Sequence, residues 1–215
     1  TQEFDREEAE KLFSQNPPDY VFVNHVSNVT GAIVPIEAIT ELAKQHDAIV
    51  VVDASQSAGL ESLNMKKSNI DYVIFAGHKN LYASWGIGGF VSASAAHLTT
   101  ASDSLNLNMA SDSPAGFEVG SANIIAISSL NASLKWLKTT GMSVISDKKA
   151  QLMERLIQGL MDIGVKLYLP THHTSVLSFN VGGYIANDIG TILSEEYDVA
   201  VRTGYHCAPY IHDLI

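Results

Sequence analysis

Short apolar runs alternate with amphipathic stretches along the first half of the chain. The runs lie at residues 20–23 (YVFV), 48–52 (AIVVV), 72–75 (YVIF) and 88–91 (GGFV). Continuous runs of β-branched and aromatic residues at this length are typical of strands that are buried on both sides. The pattern therefore predicts an α/β fold, with a parallel or mixed sheet that helices cover on both faces.

Two amphipathic stretches in this half predict helices. Residues 5–13 begin with Asp5, a residue suited to the N-cap position, and Pro17 stops the helix. Residues 36–46 repeat apolar side chains at helical spacing. Each helix precedes a predicted strand, as a βαβ arrangement requires.

The second half of the chain has a different pattern. Residues 95–116 are rich in Ser, Asn, Asp, Thr and Ala, which predicts a long loop. Helices are predicted at 124–138 and 143–160. A mixed α+β pattern follows, with extended runs at 166–168, 176–181 and 199–202 and a helix near 185–196. We expect a domain boundary near 139–142, which divides the chain into residues 1–140 and 141–215.

Composition and charge narrow the class of protein. Of the 215 residues 46% are hydrophobic and 17% are charged, which indicates a globular protein, and no apolar run is long enough to span a bilayer. The net charge of −10 argues against nucleic acid or an anionic membrane as a partner. The single cysteine, Cys207, excludes an intramolecular disulfide and a multi-cysteine metal cluster, and it favours a cytoplasmic location.

A carboxylate and an amine follow two of the predicted strands. Asp53 ends the run at 48–52, and Lys79 comes shortly after the run at 72–75. The carboxyl ends of parallel strands meet at one edge of a sheet, where ligands bind in open α/β folds. Pyridoxal phosphate needs both groups, because a lysine binds it as a Schiff base and a carboxylate stabilises its protonated ring nitrogen. Asp53 in isolation is equally well explained as the N-cap of the next turn.

Five segments, in order, resemble those of a known family. They are residues 25–31 (HVSNVTG), 52–57 (VDASQS), 76–79 (AGHK), 117–123 (FEVGSAN) and 202–209 (RTGYHCAP). The sequence resembles the class V aminotransferase family of fold-type I pyridoxal-phosphate enzymes, and within it the SUF-like cysteine desulfurases. The resemblance implies part of the large domain of that fold over residues 1–140. It implies part of a smaller α+β C-terminal domain over residues 141–215.

The resemblance implies a set of residues that bind pyridoxal phosphate. Lys79 would form the Schiff base, Asp53 would pair with the ring nitrogen, and Gln56 would contact the phenolic oxygen of the ring. His78 would contact the phosphate and serve as a catalytic residue, and Ser55 belongs to the same cofactor-binding set.

The resemblance also implies a sulfur-transfer reaction. Cys207 would take sulfur from L-cysteine or a similar amino acid as a persulfide and release alanine. Asn28 would help to hold the substrate carboxylate, with Arg202 supporting the catalytic loop. His206 would favour the thiolate of its neighbour Cys207. The resemblance further implies a homodimer and an acceptor protein for the sulfur.

Cys207 has two other interpretations. In the first, Cys207 is a buried core cysteine, although the residues around it are not typical of a core strand. In the other, His206, Cys207 and His212 bind zinc, but no fourth ligand is evident and we expect no metal site.

The sequence departs from the family pattern in three places. Ala76 stands where the family has Ser or Thr, and the loop at 95–116 lacks the family's glycine-rich segment. The family's N-terminal and C-terminal parts have no counterpart, so we expect a fragment that is inactive alone. Another class V enzyme, either a selenocysteine lyase or an aminotransferase, and a truncated non-catalytic homologue are the alternatives.

Overall fold

A four-stranded sheet lies at the centre of the first half of the chain in the computed structural model, which describes residues 4–94 and 121–213. The strands are β1 (Tyr20–Asn24), β2 (Ile49–Asp53), β3 (Tyr72–Ala76) and β4 (Gly88–Ser92). They lie side by side in chain order; β1, β2 and β3 are parallel, and β4 is antiparallel to β3. The predicted mostly parallel sheet is therefore confirmed.

Two helices flank this sheet, α1 (Arg6–Gln15) and α2 (Ile36–Lys44). Asp5 caps α1 as predicted, because its Oδ1 accepts a hydrogen bond of 3.0 Å from the backbone N–H of Glu8. The apolar stripe of α2 packs on β2, and the side chains that it buries are Ile36, Ile39, Leu42 and Ala43. The helical periodicity of the sequence thus places α2 against one face of the sheet.

The two faces of the sheet differ in how well they are covered. Val50 and Val52 of β2 point towards the core and are fully buried. On the opposite face, Phe22 is 74% exposed and Ile74 is 41% exposed. The expectation of cover on both faces therefore holds for one face only within the described ranges.

The second half contains the predicted helices and a small hairpin-like sheet. Its elements are α3 (Ile124–Thr140), α4 (Met142–Asp162), β5 (Lys166–Tyr168), β6 (Ser178–Asn180), α5 (Ala186–Tyr197) and a 3₁₀ turn (Pro209–Asp213). Strands β5 and β6 pair antiparallel. The extended run at 199–202 forms no strand, because the chain there lies against α5. A Cβ on Gly190 of α5 would stand 2.4 Å from a methyl carbon of Thr203.

The predicted division at 139–142 falls at a break between two helices. Gly141 ends α3 and precedes α4, with a φ of +87°. The division into residues 1–140 and 141–215 stays a prediction, and the loop predicted at 95–116 lies outside the described residues. None of the helices in the described ranges is both long and apolar enough to cross a lipid bilayer.

The loop after β1 joins the two halves of the chain. The backbone N–H of Ile33 donates to the carbonyl of His172, and that of Thr174 donates to the carbonyl of Gly31, each at 2.9 Å. Ser178 Oγ donates to the carbonyl oxygen of Val29 at 2.5 Å. The loop at 25–34 is thus held against the segment that leads into β6.

Gly31 is the tightest point of this junction, and its replacement should be costly. Its φ is +74°, and a Cβ there would lie 2.4 Å from the carbonyl oxygen of Val176. We expect Gly31→Ala to lower the free energy of unfolding by about 2–4 kcal/mol, from backbone strain and overpacking together. Urea unfolding measures this. Gly182→Ala, where a Cβ meets nothing within 4 Å, is the control, and an equal effect of both substitutions would refute the packing argument.

Candidate active site

The candidate site begins where the three parallel strands end. Asn24, Asp53 and Ile74 lie side by side in the strand register, so they share one face of the sheet. The backbone N–H of His25 donates to the carbonyl of Asp53 at 3.0 Å, and that of Ala54 donates to the carbonyl of Ile74 at 2.8 Å. The turns after β1 and β2 are therefore each hydrogen-bonded to the neighbouring strand at the carboxyl end of the sheet.

Asp53 caps the turn that follows β2, and its predicted pairing with a cofactor ring nitrogen stays a prediction. Its Oδ1 accepts a hydrogen bond of 2.8 Å from the backbone N–H of Ser55, as in a capped turn. Its second carboxylate oxygen has no hydrogen-bond partner in the part of the chain that the structure describes. Asp53 is exposed, on the less covered face of the sheet. The turn thus orients the carboxylate while one oxygen stays accessible.

Lys79 lies in the turn after β3, and its side chain is half-buried. The turn is closed by hydrogen bonds from the N–H of Gly77 to the carbonyl of Ile87 and from that of Ala83 to the carbonyl of Gly77, each 2.9 Å long. Within the described ranges Lys79 Nζ has neither a hydrogen-bond partner nor a carboxylate within 4.0 Å. His78 beside it is exposed.

The glycines after Lys79 have packing roles in this structure. Gly89 lies in β4, where a Cβ would stand 2.9 Å from the ring of Phe75. Gly86 has a φ of +85°, and a Cβ there would meet the amide nitrogen of Asn123 at 2.9 Å. Gly89 thus lets β4 lie close to Phe75 of β3, and Gly86 lets Asn123 lie close to the loop before β4. Ala76 at the end of β3 pairs with Gly88.

The groups on this edge suit pyridoxal phosphate. The set comprises an unpaired amine from Lys79, a carboxylate oxygen from Asp53, the half-buried amide of Gln56, the hydroxyl of Ser55 and the exposed imidazole of His78. An amine and a carboxylate on neighbouring strands are the two groups that the cofactor's aldehyde and ring nitrogen require. The chemistry of these side chains therefore fits the cofactor.

A buried histidine follows Asn24 at the start of the turn after β1, and no role for it was predicted from the sequence. His25 is 6% exposed, and its Nδ1 lies 2.8 Å from Oγ of Ser57. The hydroxyl of Ser57 also lies 3.4 Å from the carbonyl oxygen of Ala54, to which it donates. Burial lowers the pKa of His25, and the nearby carboxylate of Glu37 opposes this only in part.

The two predicted substrate residues line one cavity. Asn28 follows β1 and is half-buried, and Arg202 is exposed, yet both face a cavity of about 460 Å³. Ser27 fixes the loop beside Asn28, because its Oγ accepts hydrogen bonds from the N–H groups of Val29 and Thr30 at 3.2 and 3.1 Å. The structure thus brings Asn28 and Arg202 together, whereas Lys79 and Cys207 do not line this cavity.

Cys207 is exposed, so it is not a core cysteine. It follows Gly204 and His206, which have φ values of +80° and +55° and make the chain turn sharply. The rings of His206 and His212 stack with their centroids 6.5 Å apart. No group of three potential metal-binding side chains occurs among residues 4–94 and 121–213.

The surroundings of His206 favour its neutral form, and its effect on the thiolate of Cys207 stays a prediction. Burial, then the positive charges of Arg202 and His212, lowers the pKa of His206. An imidazole with a lowered pKa is neutral at pH 7, so His206 is suited to accept a proton and not to act as a fixed cation.

One of the five sequence segments lies largely outside the described residues. Residues 117–120 are not described, whereas Asn123 at its end caps α3 through a hydrogen bond from the N–H of Ala126 to its Oδ1. The remaining segments lie at the turns after β1, β2 and β3 and at the turn that contains Cys207.

The sequence matches the family model for class V aminotransferases over residues 1–215. This chain belongs to the class V aminotransferase family. The resemblance seen in the sequence segments is thus confirmed.

Relatives of this chain in the family are cysteine desulfurases. A probable cysteine desulfurase of Pyrococcus abyssi is 32% identical over 201 residues, which cover 87% of this chain and 50% of that protein. The cysteine desulfurase of Yersinia pestis is 34% identical over 199 residues, which cover 86% of this chain and 48% of that protein. The apo cysteine desulfurase structure from Thermococcus onnurineus matches with a TM-score of 0.86 at 32% identity, over 99% of this chain and 56% of that one. The fold class is thereby confirmed, and the chain spans about half the length of these relatives.

The neutral, buried state of His25 should make stability depend on pH. An unfolded histidine takes up a proton near its ordinary pKa of 6.5, whereas folded His25 does so only at lower pH. The unfolded chain then binds more protons, so the free energy of unfolding should fall as pH decreases below 6.5, until the lowered folded pKa is passed.

Urea unfolding at pH 7, 6 and 5 tests this prediction. We expect His25→Asn to lose about 1 kcal/mol at pH 7 through its weaker contact with Ser57, and to show a flatter pH dependence than the native chain. His172→Asn, at an exposed position, is the control. Parallel pH curves for the native chain and His25→Asn would contradict the assignment of His25.

Proposed function

We propose that this chain carries the cofactor-binding lysine and the nucleophilic cysteine of a cysteine desulfurase. The observation that carries the proposal is the position of Lys79, whose amine has no partner in the described ranges. It follows β3 at the same sheet edge where Asp53 ends the neighbouring strand β2. The names of the relatives, at 32–34% identity, support the same activity.

Five side chains would hold pyridoxal phosphate. Lys79 would bind it covalently, Asp53 would face the ring nitrogen with its accessible oxygen, and Gln56 would contact the phenolic oxygen. His78 would contact the phosphate, and Ser55 would complete the set. When bound, the cofactor withdraws electrons from the Cα of the substrate and so weakens the bonds at that carbon.

The remaining candidate residues would act on the substrate. Asn28 and Arg202 would orient the carboxylate of L-cysteine, since they line the same cavity. Lys79, once its amine is free, would move the proton at Cα. The thiolate of Cys207 would attack the substrate sulfur, so that an S–S bond forms and the S–Cβ bond breaks. The electron pair of that bond stays with Cβ, which takes up the proton that the thiol of Cys207 has lost. The products are alanine and a persulfide on Cys207.

Two kinds of protein partner belong to this proposal. An acceptor protein would take the persulfide sulfur, and the exposure of Cys207 supports such a transfer. A second copy of the chain would form a homodimer. The exposure of Phe22 (74%), Trp85 (84%) and Ile125 (81%) supports association, because large apolar side chains at such exposure are typical of interfaces.

Lys79→Ala tests the cofactor assignment. In the full-length gene product we expect the visible absorption band of bound pyridoxal phosphate to disappear, because the substitution removes the amine that would form the Schiff base. Sulfide release should fall by at least about 1,000-fold. The measurement is an absorption spectrum after dialysis, with Lys66→Ala, at an exposed position, as the control. A band of native intensity in Lys79→Ala would rule out the assignment.

Cys207→Ser tests the sulfur transfer separately. We expect the visible band to remain, since Cys207 does not bind the cofactor, while alanine and sulfide formation from L-cysteine falls by at least about 1,000-fold. Trapping the persulfide on the native protein with an alkylating reagent, followed by mass spectrometry, should locate it on Cys207. Full sulfide release by Cys207→Ser would show that another group is the nucleophile.

A further inference from the structure

Asn80, the residue directly after Lys79, connects two other parts of the chain through its side-chain amide. Its Nδ2 donates a hydrogen bond to the carbonyl oxygen of Gln56 at 2.5 Å, and its Oδ1 accepts one from Nζ of Lys149 at 2.7 Å. A carbonyl oxygen only accepts and a lysine ammonium only donates, so the two partners determine the orientation of the amide.

The backbone of Asn80 contacts the turn after β2, the same turn that its side chain contacts through Gln56. Gly59, with a φ of +88°, approaches so closely that a Cβ would stand 2.2 Å from the carbonyl oxygen of Asn80. The turn after β2 and the turn after β3 therefore meet at Asn80 through both backbone and side chain. Gln56 lies in the first turn and Lys79 in the second, so Asn80 sets their separation.

Lys149 reaches this point from α4, 69 residues further along the chain. Its Nζ also lies 5.5 Å from the ring centroid of Tyr82, a favourable cation–π distance. The ring of Tyr82 packs edge-on against Trp136 of α3, with centroids 5.2 Å apart. The half-buried ammonium is thus held by an aromatic ring on one side and by Asn80 on the other.

We propose that Asn80 is a positioning residue for Lys79 and Gln56, and that Lys149 links it to α4. The inference rests on the proposed function, because it requires that Lys79 and Gln56 bind the cofactor. Asn80 acts through its neighbours, by fixing the two turns that present these side chains. Cofactor affinity should therefore depend on Lys149, a residue of the second half of the chain.

A double-mutant cycle on cofactor affinity tests the proposal in the full-length gene product. Apoprotein is titrated with pyridoxal phosphate, and the dissociation constant is taken from the visible band. We expect Asn80→Ala to weaken binding about tenfold and Lys149→Met about three- to fivefold, since each loses one or two hydrogen bonds. In the Asn80→Ala background, Lys149→Met should have no further effect, and Lys149→Arg alone should keep native affinity.

Matched controls and a stability measurement separate positioning from general damage. Asn131→Ala and Lys148→Met alter the same residue types at exposed positions of α3 and α4, and they should leave affinity unchanged. If Asn80→Ala does not fold, Asn80→Asp replaces it, because a carboxylate still accepts from Lys149 but cannot donate to Gln56. Urea unfolding of each apoprotein confirms that the variants compared are folded.

The outcomes distinguish this inference from the proposed function. Native affinity in folded Asn80→Ala or Asn80→Asp would overturn the positioning role, and additive effects of the Asn80 and Lys149 substitutions would overturn the link between them. A native visible band in Lys79→Ala would instead overturn the proposed function. If Lys79→Ala loses the band while the Asn80 variants bind normally, only the positioning inference fails.

Discussion

The parallel pairing of β1, β2 and β3 is the constraint on which the candidate site depends. Parallel strands all end at the same edge, and neighbouring strands lie only about 4.8 Å apart. The register aligns Asn24 and Asp53, which end β1 and β2, with Ile74, two residues before the end of β3. The carboxylate of Asp53 and the amine of Lys79, 26 residues apart in sequence, therefore belong to neighbouring strand ends on one edge of the sheet.

A second constraint brings the other half of the chain to this edge. The loop that follows β1 is hydrogen-bonded to residues 172–178, and Gly31 lies directly against the backbone of Val176. Asn28 belongs to that loop, and the segment at 201–203 packs on α5 nearby, so Asn28 and Arg202 come to line one cavity. Asn80 and Lys149 form a second connection, from α4 to the turn that holds Lys79.

Much of the fold and part of the site were predictable from the sequence. Continuous apolar runs identified the four strands of the large sheet, and helical periodicity identified α2, because these patterns are local. The run at 199–202 was predicted to be extended, but no strand of the described residues pairs with it, and it packs on α5. Strand formation depends on a neighbour that local sequence does not specify.

The site residues also divide into those that local sequence identifies and those that depend on contacts between distant segments. Asp53 and Lys79 were identifiable, since each follows a predicted strand and lies within a family segment. His25, Ser57 and Asn80 were not assigned roles, although His25 and Ser57 lie within quoted segments. These residues make contacts between separate turns, such as the 2.8 Å contact of His25 with Ser57. A single sequence does not show which distant residues come into contact.

The charges at the sheet edge indicate why these supporting contacts matter. His25 begins the turn beside Asp53, and burial lowers its pKa, so it stays neutral and adds no cation next to the carboxylate. Within the described residues no cation lies within 4.0 Å of Asp53, and Lys79 has no carboxylate at that distance. Opposite charges on adjacent turns ordinarily gain by pairing. Here the hydrogen bonds of Asn80 and the close contact at Gly59 hold the two turns together, yet Asp53 and Lys79 form no ion pair among the described residues. The proposed function requires this separation, because the cofactor would need both groups.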